Sequence, residues 1–352
     1  MNIGIDAGGL VPESAVSSGI ERIVNSFVKT FNTLDKEDKL NYYYFGDKKK
    51  SNDKQIQFHA LPRRLFSSFH MPGNAIRDKN DAFIAFSTHV PRLLNLSSMK
   101  KITFVYDFGV LKYPEKYTHP KRLKQRTEEA ISQSDVIITT SQVMKSELCR
   151  RFPKLDTNKV ISIHPGIDHV RSVAPVLKKH AEPFFLYVGV IKPTKDIRRL
   201  IRIFHEFSQQ NAKQYKLICI GRQEKEYFQE LLCLPEYQKV KEQVRFVENV
   251  SDEELYSYYR DATAVINVSK EEGFGFPVLE ALALGKPVIV NDLPVYHEFT
   301  EAFPRLNIVR NDRAIMSKLT QVSLQKSNGK VVIPSEYTWE YFTRKIINII
   351  HS

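Results

Sequence analysis

The chain has 352 residues, 42% of them hydrophobic, which is enough for a large buried core and predicts two domains. No stretch approaches about 18 apolar residues and no charged leader precedes an apolar run, so we expect neither a membrane span nor a signal peptide. The three cysteines lack metal-ligand spacing, which predicts free thiols, no bound metal and a cytoplasmic protein.

The net charge of +12 is distributed unevenly along the chain. Residues 1–172 hold 27 Lys+Arg against 18 Asp+Glu, whereas the remaining residues hold 25 against 22. A basic first half suggests an anionic partner such as a membrane surface, a phosphorylated acceptor or nucleic acid. A lysine-rich surface that is simply solvated is the alternative interpretation.

Apolar runs in the first half predict seven strands with helical patterns between several of them. The predicted strands are NIGIDA, NYYYFG, IQFHAL, DAFIAFS, KITFVYD, DVIITTS and KVISIHPG. The clearest helical patterns begin at Gly19 and near Lys121. This alternation favours a mainly parallel α/β sheet. The segment 164–183, which contains three prolines, is the best candidate for a linker.

The alternation restarts after that segment. FFLYVGV, YKLICIG, VRFVEN, ATAVINVS and KPVIVND are predicted strands, and helices are predicted to begin near Asp196, Glu224, Ser251 and Pro277. We therefore predict an α/β protein with two doubly wound, Rossmann-like domains, whose ligand lies at the carboxyl ends of the strands. The predicted domains are residues 1–172 and 173–335, followed by an amphipathic helix, 336–352, that crosses back to the first domain.

The stretch EEGFGFPVLEALALGKPVIVND (271–292) combines a glycine-containing turn with two glutamates, Glu272 and Glu280, eight residues apart. Gly273 and Gly275 allow the backbone to approach a ligand closely. The helix start that follows directs N–H groups and a partial positive charge outward. The pattern predicts an anion site with a carboxylate on each side. An ordinary strand–helix turn with solvated glutamates is the alternative.

Four stretches occur in an order typical of one enzyme family: IGIDAGGL…SGIERI, LYVGVIKPTKDIRRLI, VRFVENVSDEELYSYYRDATAVINVS and EEGFGFPVLEALALGKPVIV. They resemble the retaining, nucleotide-sugar-dependent glycosyltransferases of family 4, most closely the bacterial mannosyltransferase-like members that build surface polysaccharides. The last stretch resembles the family's E-x7-E signature. The resemblance covers nearly the whole chain and implies the GT-B fold, in which two Rossmann-like domains face a cleft.

The resemblance implies roles for particular residues. Glu272 would lie beside the transferred sugar, Glu280 would bind the ribose hydroxyls, and Lys195 would neutralise the diphosphate. Glu272, Lys195 and Asp107 form the implied catalytic set. The implied donor-binding set is Gly8, Gly9, Lys195, Arg222, Val250, Glu272, Phe274, Gly275, Phe276, Pro277, Val278 and Glu280.

The chain departs from the family pattern at two positions. Val190 stands where many relatives have an arginine, and Arg222 is a candidate for the missing cation. Tyr106 stands where relatives commonly have a histidine that touches the donor sugar, which leaves the detail of catalysis open. His89 is a candidate to reach the same region. For Arg222 and His89, a purely structural place is the alternative.

The segment LPRRLFSSFHMPGNAIR (61–77) mixes basic and aromatic residues within the basic half. We expect it to lie near the acceptor and to touch an anionic membrane surface at the inner face of the cell membrane. The candidate acceptor or membrane contacts are Arg63, Arg64, Phe66, Phe69, His89 and Tyr106. The alternative is a loop that packs its aromatic side chains on its own domain.

The expected reaction is transfer of a hexose, mannose favoured, from GDP-mannose or another nucleotide diphosphate sugar to a saccharide or lipid-linked acceptor, with retention of configuration. No Asp-x-Asp occurs, so neither a bridging metal nor a cofactor is expected. No nucleic-acid motif is present, and GFGFPV lacks the third glycine of a dinucleotide fingerprint. A nucleotide-sugar 2-epimerase and a non-catalytic nucleotide-sugar binder remain the alternatives.

Overall fold

The computed structural model describes residues 1–8, 18–35, 37–48, 55–116, 119–171, 182–210, 215–324 and 331–352. The chain divides into two compact units. Unit 1 comprises Met1–Gly166 together with Ser335–Ser352, and unit 2 comprises Ile167–Pro334. The domain limits expected at 172/173 and 335/336 stay predictions, because residues 172–181 lie outside the described residues.

Unit 1 is built on a parallel sheet that has seven strands among its described residues. These are β1 (Asn2–Gly8), β2 (Lys39–Tyr44), β3 (Ile56–Ala60), β4 (Ala82–Ala85), β5 (Lys100–Val105), β6 (Val136–Thr139) and β7 (Val160–Ser162). Their order is β3-β2-β1-β4-β5-β6-β7. All seven coincide with predicted apolar runs, and the central strands β1 and β4 are buried on both faces, as is usual in a parallel sheet.

The first half also contains α1 (Gly19–Leu34), α2 (Met71–Arg77), α3 (Gly109–Lys112), α4 (Pro120–Gln133) and α5 (Gln142–Arg151). The start of α1 is fixed by Ser18, whose side chain accepts a hydrogen bond from the N–H of Glu21. The helix buries a stripe of apolar side chains: Ile23, Val24, Phe27 and Phe31. This spacing matches one face of a helix, as the sequence predicts.

Unit 2 has a second parallel sheet, with six strands among its described residues. These are β8 (Phe184–Val188), β9 (Lys216–Ile220), β10 (Val244–Val247), β11 (Ala264–Asn267), β12 (Val288–Asn291) and β13 (Leu306–Val309), in the order β10-β9-β8-β11-β12-β13. Five of these strands are predicted from the sequence. The edge strand β13 is not, because Asn307 interrupts its short apolar run.

The helices of unit 2 are α6 (Ile197–Gln210), α7 (Lys225–Leu232), α8 (Pro235–Val240), α9 (Asp252–Asp261), α10 (Phe276–Ala283), α11 (Pro294–His297) and α12 (Asp312–Ser323). Four begin within a residue of the predicted starts: α6, α7, α9 and α10. Among the described residues, no helix of either unit is long and apolar enough to span a membrane.

The last helix, α13 (Trp339–His351), belongs to unit 1 and packs on α1. It buries Trp339, Phe342, Ile346 and Ile350 along one face. Lys100 on β5 donates a hydrogen bond to the carbonyl oxygen of Ile349 at 2.6 Å. These contacts anchor the segment that follows unit 2 onto the first unit.

Candidate functional site

Two loops of unit 2 meet at the carboxyl edge of its sheet. Strand β8 pairs directly with β11, so the loop after each strand emerges beside the other. The backbone N–H of Lys270 donates to the carbonyl oxygen of Thr194 at 2.9 Å. The ammonium group of Lys270 also lies 3.5 Å from the carboxylate of Asp196. These bonds hold the segment around Lys195 against the segment that leads into Gly275.

Lys195 and Glu272 form an ion pair across these loops. The Nζ atom of Lys195 lies 2.5 Å from Oε1 of Glu272, and the two side chains are only 18% and 13% exposed. Asn267, the last residue of β11, places its amide nitrogen 3.4 Å from the same oxygen. Reduced contact with water strengthens the attraction between such charges. The sequence assigns both residues to one site, and the structure brings them into contact.

The turn before α10 requires a glycine. Gly275 is the N-cap residue and has a φ of 84°, in the left-handed region where other residues are strained. A Cβ atom on Gly275 would lie 3.2 Å from Cε1 of the buried Tyr296. The sequence predicts that the helix begins near Pro277. In the structure it begins at Phe276, so Pro277 is its second residue. The backbone here packs closely against the edge of an aromatic ring.

The side chains that follow Glu272 belong largely to the core. Phe274 is buried, and its ring lies 5.0 Å from that of Phe276 and 5.7 Å from that of Phe299. Val278 is also buried, whereas Phe276 is half-buried. At Phe274 and Val278, any role in binding a ligand therefore falls to the backbone.

Glu280 is a buried carboxylate held by two side chains that are not among the predicted site residues. It is 3% exposed. The hydroxyl of Tyr259, on α9, donates to Oε2 at 3.1 Å, and Nε2 of His169 lies 3.1 Å from Oε1. His169 belongs to a short 3-10 turn, Asp168–Arg171, inside the segment predicted as a linker. Hydrogen bonds of this kind make burial of a carboxylate tolerable, and they fix its orientation.

Arg222 and Val250 lie on the same edge of the sheet, after β9 and β10 respectively. Arg222 is exposed, and its carbonyl oxygen accepts a hydrogen bond from Ile191 at 2.8 Å. Its guanidinium makes no hydrogen bond or ion pair with any residue that the structure describes. Val250 is half-buried and directly precedes Ser251, the N-cap residue of α9. No hydrogen bond or ion pair joins Arg222 to the Lys195–Glu272 pair within the described part of the chain.

The carboxyl edge of the unit 1 sheet contains a buried carboxylate, Asp6. Its oxygens accept hydrogen bonds from the N–H of Gly8 at 3.0 Å and from the hydroxyl of Ser87 at 2.6 Å. Burial raises the pKa of Asp6, and these two hydrogen bonds oppose that rise. Gly8 has a φ of 55°, whereas Gly9, the other predicted glycine contact, lies outside the described residues.

Asp107, Tyr106 and His89 occupy the ends of the neighbouring strands in unit 1. Asp107 is exposed and accepts a hydrogen bond from the N–H of Gly109 at 2.8 Å. The Tyr106 ring stacks on Phe104, and its buried hydroxyl has no partner among the described residues. Burial lowers the pKa of His89 to about 4, and nearby arginines add to this effect, so the imidazole is neutral at pH 7. No hydrogen bond between described residues joins these three side chains.

The segment 61–77 divides its aromatic side chains between surface and core. Phe66 is 4% exposed and packs on Phe45 with ring centroids 5.1 Å apart. The expectation that Phe66 touches a membrane or acceptor is therefore wrong, because its side chain fills the core. Phe69 is 62% exposed, and Arg63 and Arg64 are also exposed. Leu65, which is 58% exposed, and Arg77 are accessible as well.

One group of side chains in the described part of unit 1 has the spacing of metal ligands. Ligand atoms of Asp35, Asp38 and His351 lie within 4.8 Å of one another. Asp38 binds the amino group of Met1 at 2.5 Å and His351 at 2.7 Å. Asp35 accepts hydrogen bonds from the N–H groups of Glu37 and Asp38. These bonds account for the cluster without a metal.

Comparison with protein families identifies the class of the chain. The sequence profile of the glycosyl transferases group 1 matches residues 171–350, just over half of the chain, so the chain belongs to this family.

Two bacterial relatives are similar in sequence. The chain is 29% identical over 195 residues to O-antigen chain mannosyltransferase RfbU of Salmonella typhimurium, which covers 55% of this chain and 52% of that protein. It is 26% identical over 296 residues to O-antigen chain mannosyltransferase B of Escherichia coli, covering 78% and 75% respectively. The chain thus spans about half the length of the first relative and three quarters of the second.

Solved structures share the fold. Anabaena HepE in complex with UDP and glucose superimposes with a TM-score of 0.72 and 14% sequence identity, over 99% of each chain. Together with the two parallel sheets, this similarity confirms the expected GT-B fold with its two Rossmann-like domains.

Proposed function

We propose that this protein is a retaining glycosyltransferase of surface polysaccharide synthesis, which moves mannose from GDP-mannose to a saccharide or lipid-linked acceptor. The observation that carries the proposal is the Lys195–Glu272 pair beside the Gly275 turn. Both bacterial relatives are mannosyltransferases of O-antigen chains by name, which supports the sugar and the pathway. The complex of HepE with UDP supports a nucleoside diphosphate donor.

Lys195 is proposed to bind the diphosphate. When the bond between the anomeric carbon and the phosphate oxygen breaks, negative charge develops on the departing nucleoside diphosphate. A lysine held at 18% exposure can stabilise that charge more strongly than a fully solvated one, and the start of α10 adds a partial positive charge. The incoming diphosphate would compete with Glu272 for the ammonium group.

Glu280 is proposed to bind the ribose. Its carboxylate is held in place by Tyr259 and His169, so it is oriented before a nucleotide arrives. A carboxylate with fixed orientation is suited to accept hydrogen bonds from two neighbouring hydroxyl groups. It lies one helical turn beyond the residues proposed to meet the diphosphate, which matches the order of groups in a nucleotide.

Retention is proposed to follow from attack on the face from which the phosphate leaves, with the acceptor proton passing to the departing phosphate oxygen. Glu272 is a poor covalent nucleophile here, because its negative charge is paired with Lys195 at 2.5 Å. The sequence has no Asp-x-Asp to bridge a metal to the diphosphate. Positive charge from the protein itself would then perform that neutralisation.

Incubation with isotope-labelled nucleotide sugars tests the proposal. GDP-mannose should be hydrolysed slowly alone and consumed faster with a mannose-terminated acceptor, and NMR of the product should show the donor's anomeric configuration. Recovery of the donor with an inverted C2 would indicate an epimerase. Binding of GDP-mannose without turnover on any acceptor would indicate a non-catalytic protein. The variant Lys195→Ala serves as the control for contaminating activity.

We further propose that unit 1 meets an anionic membrane surface through Arg63, Arg64 and Phe69. The three side chains are exposed within seven residues of sequence, in the basic half of the chain. Each basic residue near such a surface contributes about 1 kcal/mol. Wild type should sediment with phosphatidylglycerol vesicles and less so at high salt, while Arg63→Glu/Arg64→Glu should stay in solution. Equal sedimentation of the double variant would exclude this surface.

A further inference from the structure

Tyr296 carries a buried hydroxyl group without a hydrogen-bond partner. The residue lies on α11, which follows β12, and its side chain is completely buried. Its hydroxyl oxygen is inaccessible to solvent and makes no hydrogen bond with any residue that the structure describes. Buried hydroxyl groups are nearly always hydrogen-bonded, and leaving one without a partner lowers stability. The unsatisfied group therefore calls for an explanation.

A neighbouring tyrosine shows that this region can satisfy such a group. Tyr187, at the carboxyl end of β8, is also completely buried, but its hydroxyl donates to the carbonyl oxygen of Val190 at 3.2 Å. After burial, the negative charge of Glu272 is the next cause that raises the pKa of Tyr296, and it also raises the pKa of Tyr187.

The position of Tyr296 is tied to the turn that contains Glu272. A Cβ atom on Gly275 would lie 3.2 Å from the edge of the Tyr296 ring and 3.6 Å from its hydroxyl oxygen. The edge of the ring and its hydroxyl thus lie against the backbone at Gly275, three residues after Glu272. The present partners of Glu272 are Lys195 at 2.5 Å and the Asn267 amide at a weak 3.4 Å.

We propose that Tyr296 is a positioning residue whose hydroxyl donates a hydrogen bond to Glu272 when a diphosphate draws Lys195 away. The inference rests on the proposed function, in which the diphosphate and Glu272 compete for one ammonium group. A carboxylate that loses its cation in a partly buried site needs another donor. Tyr296, which packs against the Gly275 turn, supplies that donor, and its hydroxyl gains the partner that it lacks.

The test compares Tyr296→Phe with wild type in two measurements. The thermal midpoint should stay unchanged or rise, because the variant removes only an unsatisfied hydroxyl. The dissociation constant for GDP or UDP, whichever the wild type binds more tightly, should increase about tenfold, as expected when a hydrogen bond to a charged group is lost. The matched control Tyr187→Phe should lower the thermal midpoint, because its hydroxyl has a partner to lose.

A double-mutant cycle identifies the partner. In the Glu272→Ala background, Tyr296→Phe should change the dissociation constant less than about twofold, because the acceptor is already absent. An equal loss in both backgrounds, or a lower thermal midpoint with unchanged affinity, would overturn the inference and leave the proposed function intact. If wild type binds neither GDP nor UDP, the proposed function fails and the inference fails with it.

Discussion

The carboxyl edges of the two sheets each hold a buried carboxylate, but in different electrostatic surroundings. Asp6 in unit 1 is held by a backbone N–H and a serine hydroxyl, both neutral donors. In unit 2, Glu280 is held by Tyr259 and His169, and a second carboxylate, Glu272, is paired with Lys195. Charge pairing at the edge of the sheet is thus a feature of unit 2 among the described residues. This difference supports the proposal that the diphosphate binds to unit 2.

The comparison also shows that overall charge does not locate a site. Residues 1–172 carry most of the positive excess, yet their exposed arginines include Arg63 and Arg64 in the segment that follows the edge strand β3. Unit 2 is nearly neutral, yet it holds a lysine with little exposure beside a carboxylate. The position of Lys195 is therefore more informative about the chemistry than the net charge of either half of the chain.

Removal of the Lys195 ammonium group from unit 2 should have the largest effect on activity. Lys195→Ala should lower turnover about 100- to 1,000-fold, because a single preorganised group that stabilises charge in the transition state contributes that much. The thermal midpoint should change little. The matched control is Lys192→Ala. Lys192 precedes the same turn and is half-buried, and it forms no ion pair in the described part of the chain. Similar losses in both variants would contradict the assignment.

The buried carboxylate of unit 2 should contribute to nucleotide affinity. Glu280→Gln keeps the size of the side chain but removes its charge, so the dissociation constant for GDP should rise about tenfold. Isothermal titration with GDP and 2′-deoxy-GDP measures this effect and its link to the ribose. The variant should discriminate less between the two nucleotides than wild type does. Unchanged discrimination would place the ribose elsewhere.

In unit 1, His89 at the strand ends should make the free energy of unfolding depend on pH. The pKa of His89 is about 4 in the folded protein, below the ordinary 6.5, because of burial and nearby arginines. As pH falls from 6.5 towards 4, the unfolded chain takes up a proton before the folded chain does, so stability is lost. His89→Asn should remove about 2 kcal/mol of this loss, measured by urea unfolding at pH 7 and pH 5. An unaltered pH dependence would show that His89 is solvated.

The smallest effect is expected on GDP affinity when the Lys195–Glu272 ion pair is weakened. Glu272→Gln removes the charge that competes with a diphosphate for Lys195, so GDP should bind about threefold more tightly, while turnover of GDP-mannose falls. Most single substitutions in a binding site weaken binding, so an increase in affinity is diagnostic. Calorimetry with GDP alone separates the two effects. Weaker binding of GDP would show that Glu272 and the diphosphate do not compete.

The strands could be predicted where both faces are buried, but the contacts at the site could not. The pairing of Lys195 with Glu272 joins residues 77 positions apart and depends on β8 lying beside β11, which local patterns do not reveal. His169, Tyr259 and Tyr296 belong to no motif, so only their positions in space identify them. Phe66 was misassigned because an aromatic residue near two arginines gives no indication of which side faces the core.

The attachment of α13 to unit 1 has a consequence for the order of folding during synthesis. Unit 2 is continuous in sequence, so its strands leave the ribosome and can begin to pair before α13 does. Unit 1 is not complete at that stage, because the apolar face of α1 that α13 covers stays open, and Gly166 lacks the Trp339 backbone that packs where a Cβ would be. The second unit can therefore mature first. The first unit must keep an exposed apolar groove in the meantime, during which it is prone to aggregation.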